Sequence, residues 1–104
     1  MTRFEMAPYP VEISYEDTAK GGRYFMVMPN GEQSRCTFTR VGPSHIIADH
    51  TFVPVPYRGH GVAEQMVEKL VTDARARGDK VSATCWFVAD EFERKRPAWD
   101  DVKA

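Results

Sequence analysis

The sequence lacks the features that mark several common protein classes. Its only two cysteines, Cys36 and Cys85, do not form the Cys-x-x-Cys pair of many metal and redox motifs. No run of about 18 apolar residues is present, and the first ten residues lack the apolar core of a signal peptide. Two separate thiols fit a reducing compartment. We therefore expect a cytoplasmic protein with no metal site and no membrane partner.

Neither sign of charge dominates the sequence. Lys and Arg number 14 against 15 Asp and Glu, for a formal net charge of −1. Nucleic-acid-binding domains usually present a basic face to phosphates. The longest basic run here is Arg94-Lys95-Arg96, which is typical of a solvated helix end. We expect no nucleic-acid partner.

The chain has the length and composition of one globular domain. Hydrophobic residues make up 42% of its 104 residues and charged residues 28%, enough to form a core. Residues 1–10 carry two prolines and no periodicity, so we predict an irregular arm there and a single domain over residues 11–104. Such a small domain has a modest stability margin, and we expect a monomer or a homodimer.

Alternating apolar and polar residues in the first half predict antiparallel strands. The predicted strands cover residues 11–15, 23–28, 33–41 and 45–53, with a polar connection over residues 16–22. Asn30-Gly31, between the second and third strands, accepts the positive φ angles of a hairpin turn. Residues 62–74 then show helical spacing of apolar residues, and Gly78 ends the helix. A strand over residues 80–85 and a helix over residues 87–96 complete an α+β fold with a mixed sheet.

The chemically informative segment is Arg58-Gly59-His60-Gly61-Val62-Ala63, between a predicted strand and the first helix. A helix N-terminus offers unpaired N–H groups and a partial positive charge, and glycine allows an anion to approach the backbone closely. These features predict a pyrophosphate site. The alternatives are a tight turn without a ligand, or a dinucleotide-binding fold. The second is disfavoured because Glu64 stands where its third glycine belongs, and Cys85-Trp86 where its acidic residue belongs.

The same residues resemble a known family. Arg58-x-x-Gly61-x-Ala63 is similar to the Q/R-x-x-G-x-G/A signature of the GNAT superfamily of acyl-CoA-dependent N-acetyltransferases. His50-Thr51-Phe52-Val53-Pro54 and Cys85-Trp86-Phe87-Val88 resemble the H-T-x-V-P and C-x-F-V motifs of a compact GNAT-like branch. The resemblance covers roughly residues 11–102.

This resemblance implies a GNAT-like fold and acetyl-CoA as the cofactor. The backbone of Val53 and Val55 would pair with the pantetheine arm like an added strand. Arg58 and the amides of residues 59–63 would hold the pyrophosphate. The strand ending at Cys85 would diverge from the strand ending near Val53 and open a cleft for the thioester.

Cys85 and His50 are the candidates for the chemical step. Cys85 would attack the thioester and carry the acyl group, and His50 would act as its base if their strands are neighbours. The alternatives are a packing role for Cys85 and a structural or orienting role for His50. Larger members of the superfamily place a tyrosine acid on the last helix, where this chain has Glu91-Phe92.

The resulting hypothesis is a small N-acetyltransferase. It would move acetyl from acetyl-CoA to an amine on a small molecule or a protein, with or without an acyl-Cys85 intermediate. A non-catalytic acyl-CoA-binding module and a ligand-free interaction domain are the alternatives.

Overall fold

A computed structural model describes residues 12–104, so the predicted arm over residues 1–10 lies outside the described residues. The described chain forms one five-stranded sheet with the strand order β1-β2-β3-β4-β5. The elements are β1 (Ser14–Thr18), β2 (Gly21–Val27), β3 (Gln33–Gly42), β4 (His45–Phe52), a 3₁₀ turn (Val55–Tyr57), α1 (Val62–Arg77), β5 (Lys80–Ala83) and α2 (Trp86–Arg94). Strands β1 to β4 are antiparallel neighbours, and β5 pairs with β4 in parallel. The predicted α+β fold with a mixed sheet is confirmed.

The predicted first strand and the polar connection after it are wrong in their bounds. Strand β1 runs through the supposed connection to Thr18, which pairs with Gly21 at the start of β2. Glu16 lies within β1, and its carboxylate accepts a hydrogen bond of 2.8 Å from Arg23 Nε. An edge strand needs only backbone pairing on one side and tolerates polar side chains on both faces. Apolar alternation therefore does not mark where this strand begins and ends.

One face of the sheet packs against α1 and forms the core. In β2 and β3 every second side chain is buried, including Tyr24, Met26, Cys36 and Phe38. Helix α1 buries six side chains at the predicted spacing: Val62, Met66, Val67, Leu70, Val71 and Ala74. Burying each large aliphatic side chain contributes about 1.5–3 kcal/mol. This packing holds the N-terminus of α1 at a fixed place beside β4.

Strand β4 contains a bulge that changes the orientation of its second half. Phe38 pairs with Ala48, but the preceding Thr37 pairs with His50, so Asp49 is an extra residue on β4. The Asp49 carboxylate accepts hydrogen bonds from the hydroxyls of Thr37, at 2.5 Å, and Thr39, at 2.6 Å. A bulge bends the strand, increases its twist and shifts the alternation of its side chains by one residue.

A buried carboxylate joins the end of β3 to the end of α1. Asp79 is 5% exposed, and both its oxygens accept hydrogen bonds from Arg40, at 3.1 and 2.8 Å. Arg77 Nε adds a third bond of 2.9 Å. The hydrogen bonds from Arg40, and then those from Arg77, lower the pKa of Asp79 below its usual value, against the opposing effect of its burial.

We expect Asp79→Asn to destabilise the fold by about 1–3 kcal/mol at neutral pH, because it leaves two guanidinium groups without their carboxylate. A folded-state pKa below the unfolded value stabilises the protein above the ordinary Asp pKa of about 4, and this contribution is lost as the pH falls through the folded value. Urea unfolding from acid to neutral pH should therefore show a flatter acid limb in the variant. Asp101→Asn, which removes the exposed partner of Arg75, is the control and should change little. Equal effects would contradict a special role for Asp79.

Candidate functional site

Strands β4 and β5 separate at one end of the sheet and leave a cleft between them. Their pairing ends at Ala48 and Ala83. Beyond it, the amides of Thr84 and Cys85 both donate to the Ala48 carbonyl, at 3.0 and 3.2 Å. Strand β4 continues to Phe52, past the last residue of β5 that pairs with it. The divergence expected from the family resemblance is present.

The cleft has a volume of about 360 Å³, within the range of small-molecule sites. Three segments form its walls: the end of β4, the loop entering α1, and the start of α2. Their lining residues are Thr51, Phe52, Val53, Tyr57, Arg58, Gly59, Gly61, Val62, Ala63, Glu64, Trp86 and Phe87. The segment from Arg58 to Ala63, predicted as a ligand site, therefore lines the cleft with all its residues except His60.

Two glycines set the backbone of this loop. Gly59 has a φ of +82° and Gly61 a φ of +79°, in the left-handed region that disfavours residues with a Cβ. A Cβ at either position would meet no other atom within 4 Å. The conformation, not crowding, therefore requires glycine, and the space beside both residues is open. His60, between them, is exposed and does not line the cleft.

The start of α1 presents unpaired donors to the cleft. Within residues 12–104, the backbone amides of Gly59, Gly61, Val62, Ala63 and Glu64 donate no hydrogen bond to a protein group. They stand at the positive end of a 16-residue helix. Unpaired amides at the N-terminus of a long helix form an anion site.

Arg58 braces the loop. Its Nε donates a 2.7 Å hydrogen bond to the carbonyl of Val53, and its guanidinium lies 5.8 Å from the Phe52 ring centre. Its terminal nitrogens make no further hydrogen bond within residues 12–104. The side chain thus places a cation beside the unpaired amides of α1.

Val55 departs from its predicted role as part of an added-strand contact. It lies in the 3₁₀ turn, where its carbonyl accepts the Arg58 amide at 3.2 Å. Its side chain is 70% exposed and does not line the cleft. Pro56 fixes a φ near −65° within this turn, which favours a helical turn over an extended strand.

Cys85 lies at the N-cap of α2, directly before the cleft-lining Trp86, and packs against the core. It is half-buried, and its Sγ lies 3.5 Å from the Thr51 hydroxyl. Thr51 pairs across the sheet with Cys36, which is fully buried. Burial, and then the proximity of Cys85, raises the pKa of Cys36 to about 12, so Cys36 is an inert core thiol, in agreement with its place in the predicted strand.

The structure does not bring His50 next to Cys85. His50 is exposed and pairs with Thr37 on the other face of the sheet from Thr51. The bulge at Asp49 is the cause: without the extra residue, His50 would stand opposite Cys36. Thr51 therefore takes the place beside Cys85 that the sequence suggested for His50.

Two aromatic side chains, Tyr57 and Trp86, complete the cleft wall. Tyr57 is buried, and its hydroxyl accepts a hydrogen bond of 3.0 Å from the Asn30 amide, which ties the β2–β3 turn to the segment before α1. Trp86 is 77% exposed at the mouth of the cleft, with its ring edge-on to Phe87 at 6.0 Å.

Within the described residues, no helix has the length and apolar character needed to cross a membrane, and no three potential metal ligands cluster.

Comparisons with known proteins agree with this geometry. A family model described as GCN5-related N-acetyl-transferase matches residues 23–102. Protein NATD1 of Gallus gallus is 26% identical over 90 residues, covering 85% of this chain and 78% of that protein. Protein NATD1 of Homo sapiens is also 26% identical over 90 residues, and the match covers 85% of this chain and 76% of that protein. The solution structure of a GCN5-like protein from Staphylococcus aureus superposes with a TM-score of 0.64 at 24% identity, covering 88% of this chain and 87% of that one.

Proposed function

Because this chain belongs to the GCN5-related N-acetyltransferase family, we propose that it binds acetyl-CoA in the cleft and transfers the acetyl group to an amine. The main support is the set of unpaired amides at the start of α1, from Gly59 to Glu64 excepting His60. They offer hydrogen bonds and a partial positive charge to a pyrophosphate. The open space beside Gly59 and Gly61 leaves room for it.

The proposed arrangement uses both walls of the cleft. Arg58 and the α1 amides hold the pyrophosphate, and the pantetheine arm lies between the diverging strands. There the end of β4, from Thr51 to Val53, pairs with its amide groups as an added strand would. Acetyl-CoA supplies the acetyl group as a thioester. Val55 has no part in this arrangement, since it lies outside the cleft.

Two chemical routes fit the cleft. In the direct route a neutral amine attacks the thioester carbonyl carbon and forms the amide C–N bond. The C–S bond of the thioester breaks, and the leaving CoA sulfur takes up the proton that the amine loses. In the second route Cys85 Sγ attacks first, forming an acyl-cysteine and releasing the CoA thiol. The amine then takes the acyl group, Sγ regains a proton, and the amine gives one up. Thr51, whose hydroxyl lies 3.5 Å from Sγ, orients the sulfur.

Calorimetric titration with CoA tests the proposal. We expect one CoA to bind per chain with an affinity that falls as salt rises, because charged phosphates are bound by amides and a cation. Absence of binding at millimolar CoA would refute the proposed function. The proposed acceptor is an amine of a small molecule or of a protein. The protein would act as a monomer or as a homodimer.

A non-catalytic acyl-CoA-binding module is the second candidate. It is favoured by one observation: within the described residues, no histidine or carboxylate is hydrogen-bonded to Cys85. Acetyl-CoA turnover against a panel of amines distinguishes the two functions. Turnover that is lost in Cys85→Ala while CoA binding persists would exclude the module.

A further inference from the structure

Trp86 is a large aromatic side chain whose position is not explained by packing. It is 77% exposed, and among the residues that the structure describes its ring contacts one other ring, that of Phe87, nearly at a right angle. Its indole N–H donates no hydrogen bond to any of those residues. By contrast, Trp99 is 7% exposed, lies edge-on to Phe92 at 5.2 Å and has the Lys95 ammonium 4.9 Å from its ring centre. Trp99 therefore stabilises the fold, whereas the faces of Trp86 are available to a ligand.

The backbone beside Trp86 is anchored to the sheet and to α2. Trp86 is the first residue of α2. Immediately before it, the Cys85 amide donates a hydrogen bond of 3.2 Å to the Ala48 carbonyl of β4, and the Cys85 carbonyl accepts the Ala89 amide at 3.1 Å. Trp86 lines the same cleft as the loop that enters α1. A ligand at this mouth meets a backbone already in place, which lowers the conformational cost of binding.

The order of the chemical groups along CoA determines which of them reaches Trp86. The inference rests on the proposed function, in which the amides at the start of α1 hold the pyrophosphate and the pantetheine arm lies between the diverging strands. The arm then fills the inner part of the cleft. The adenosine, attached to the other end of the pyrophosphate, leaves through the mouth, where Trp86 is exposed.

We infer that Trp86 forms the adenine subsite of the cleft, with its indole face stacked on the adenine base of CoA. Stacking on an aromatic side chain is a common way to bind a base, and it requires no hydrogen bond to the edge of the base. A flat purine covers most of an indole face, whereas an alkyl amine acceptor covers little of it, so adenine removes more of the exposed ring from water. Phe87, which packs against the core, supports the Trp86 ring from one side.

Calorimetry with the two halves of CoA tests this subsite. Adenosine 3′,5′-bisphosphate carries the base without the pantetheine arm, and 4′-phosphopantetheine carries the arm without the base. We expect Trp86→Ala to weaken the binding of CoA and of the bisphosphate by about 5- to 150-fold, because the loss of a stacked base has an effect of this size. The affinity for 4′-phosphopantetheine should not change. Val55→Ala, which shortens another exposed apolar side chain outside the cleft, should leave all these affinities unchanged.

Tryptophan fluorescence reports on the stack directly. Trp86 and Trp99 are the only tryptophans of the chain. A base stacked on an indole quenches its emission, so CoA and the bisphosphate should quench the protein to saturation, and 4′-phosphopantetheine should not. The quenching should be absent in Trp86→Phe and persist in Trp99→Phe. Should Trp99→Phe fail to fold, the comparison of the natural protein with Trp86→Phe suffices.

The outcomes separate this inference from the proposed function. Equal losses of affinity for CoA and for 4′-phosphopantetheine in Trp86→Ala would place the ring against the arm. A raised KM for the amine with unchanged CoA affinity would place it against the acceptor. Either result, or CoA binding without quenching of Trp86, would overturn the inference and leave the proposed function standing. Failure of CoA to bind the natural protein would count against the proposed function itself.

Discussion

Gly61→Glu should weaken CoA binding by a factor of about 100 or more. The substitution places a carboxylate at the N-cap of α1, beside the amides proposed to hold the pyrophosphate. Nothing in the protein lies within 4 Å of the new Cβ, so the side chain has room to project into the space that the phosphates would need. It also competes for the same amides, since carboxylates are themselves good ligands of a helix N-terminus. Calorimetric titration measures the loss.

Gly31→Glu is a matched control for this prediction. Gly31 has a φ of +89° and, like Gly61, an open surrounding, so both substitutions add the same charge and a similar backbone strain of about 1–2 kcal/mol. Gly31 lies in the turn between β2 and β3, outside the cleft. We expect equal losses of stability in the two variants but a loss of CoA affinity only in Gly61→Glu. Equal CoA affinities would place the pyrophosphate elsewhere.

The main elements of the fold were predictable because their side chains have two different environments. Helix α1 has one buried and one exposed face, so its apolar spacing indicated both its existence and its end at Gly78. Strands β2 and β3 alternate for the same reason. The bounds of β1 were predicted wrongly, over residues 11–15, because nearly all its side chains are exposed, and a strand without a buried face has little alternation to mark its ends.

The candidate site was predictable where its chemistry resides in the backbone. Gly59 and Gly61 pointed to a tight turn or a close approach of an anion to the backbone, and the structure places both in the left-handed region at the start of α1. The positions of the side chains were harder to predict, because nothing in the sequence indicates the bulge at Asp49. The bulge turns Thr51, and not His50, toward the cleft.

Cys85 should acquire one acetyl group when the protein is incubated with acetyl-CoA, and Cys36 should not. Burial raises the pKa of Cys36 to about 12, so its reactive thiolate is a vanishing fraction at neutral pH. Cys85 is half-buried at the N-cap of α2, and its neighbour Trp86 lines the cleft. Intact-protein mass spectrometry detects the adduct, and Cys36→Ala, which leaves Cys85 in place, should retain it.

Turnover by Cys85 variants decides between the two chemical routes. If the acyl-cysteine lies on the path, Cys85→Ala should lower kcat by about 100-fold or more while CoA affinity changes little, because a covalent step is removed and not a binding contact.

Thr51→Val keeps the shape of the side chain but removes the hydroxyl 3.5 Å from Sγ. It should slow acetylation of Cys85 without abolishing it, since the hydroxyl orients the sulfur and does not react. Full activity in Cys85→Ser together with an unacetylated Cys85 in the natural protein would rule out the covalent route. The amine would then attack the thioester directly, with Cys85 reduced to packing in the cleft wall.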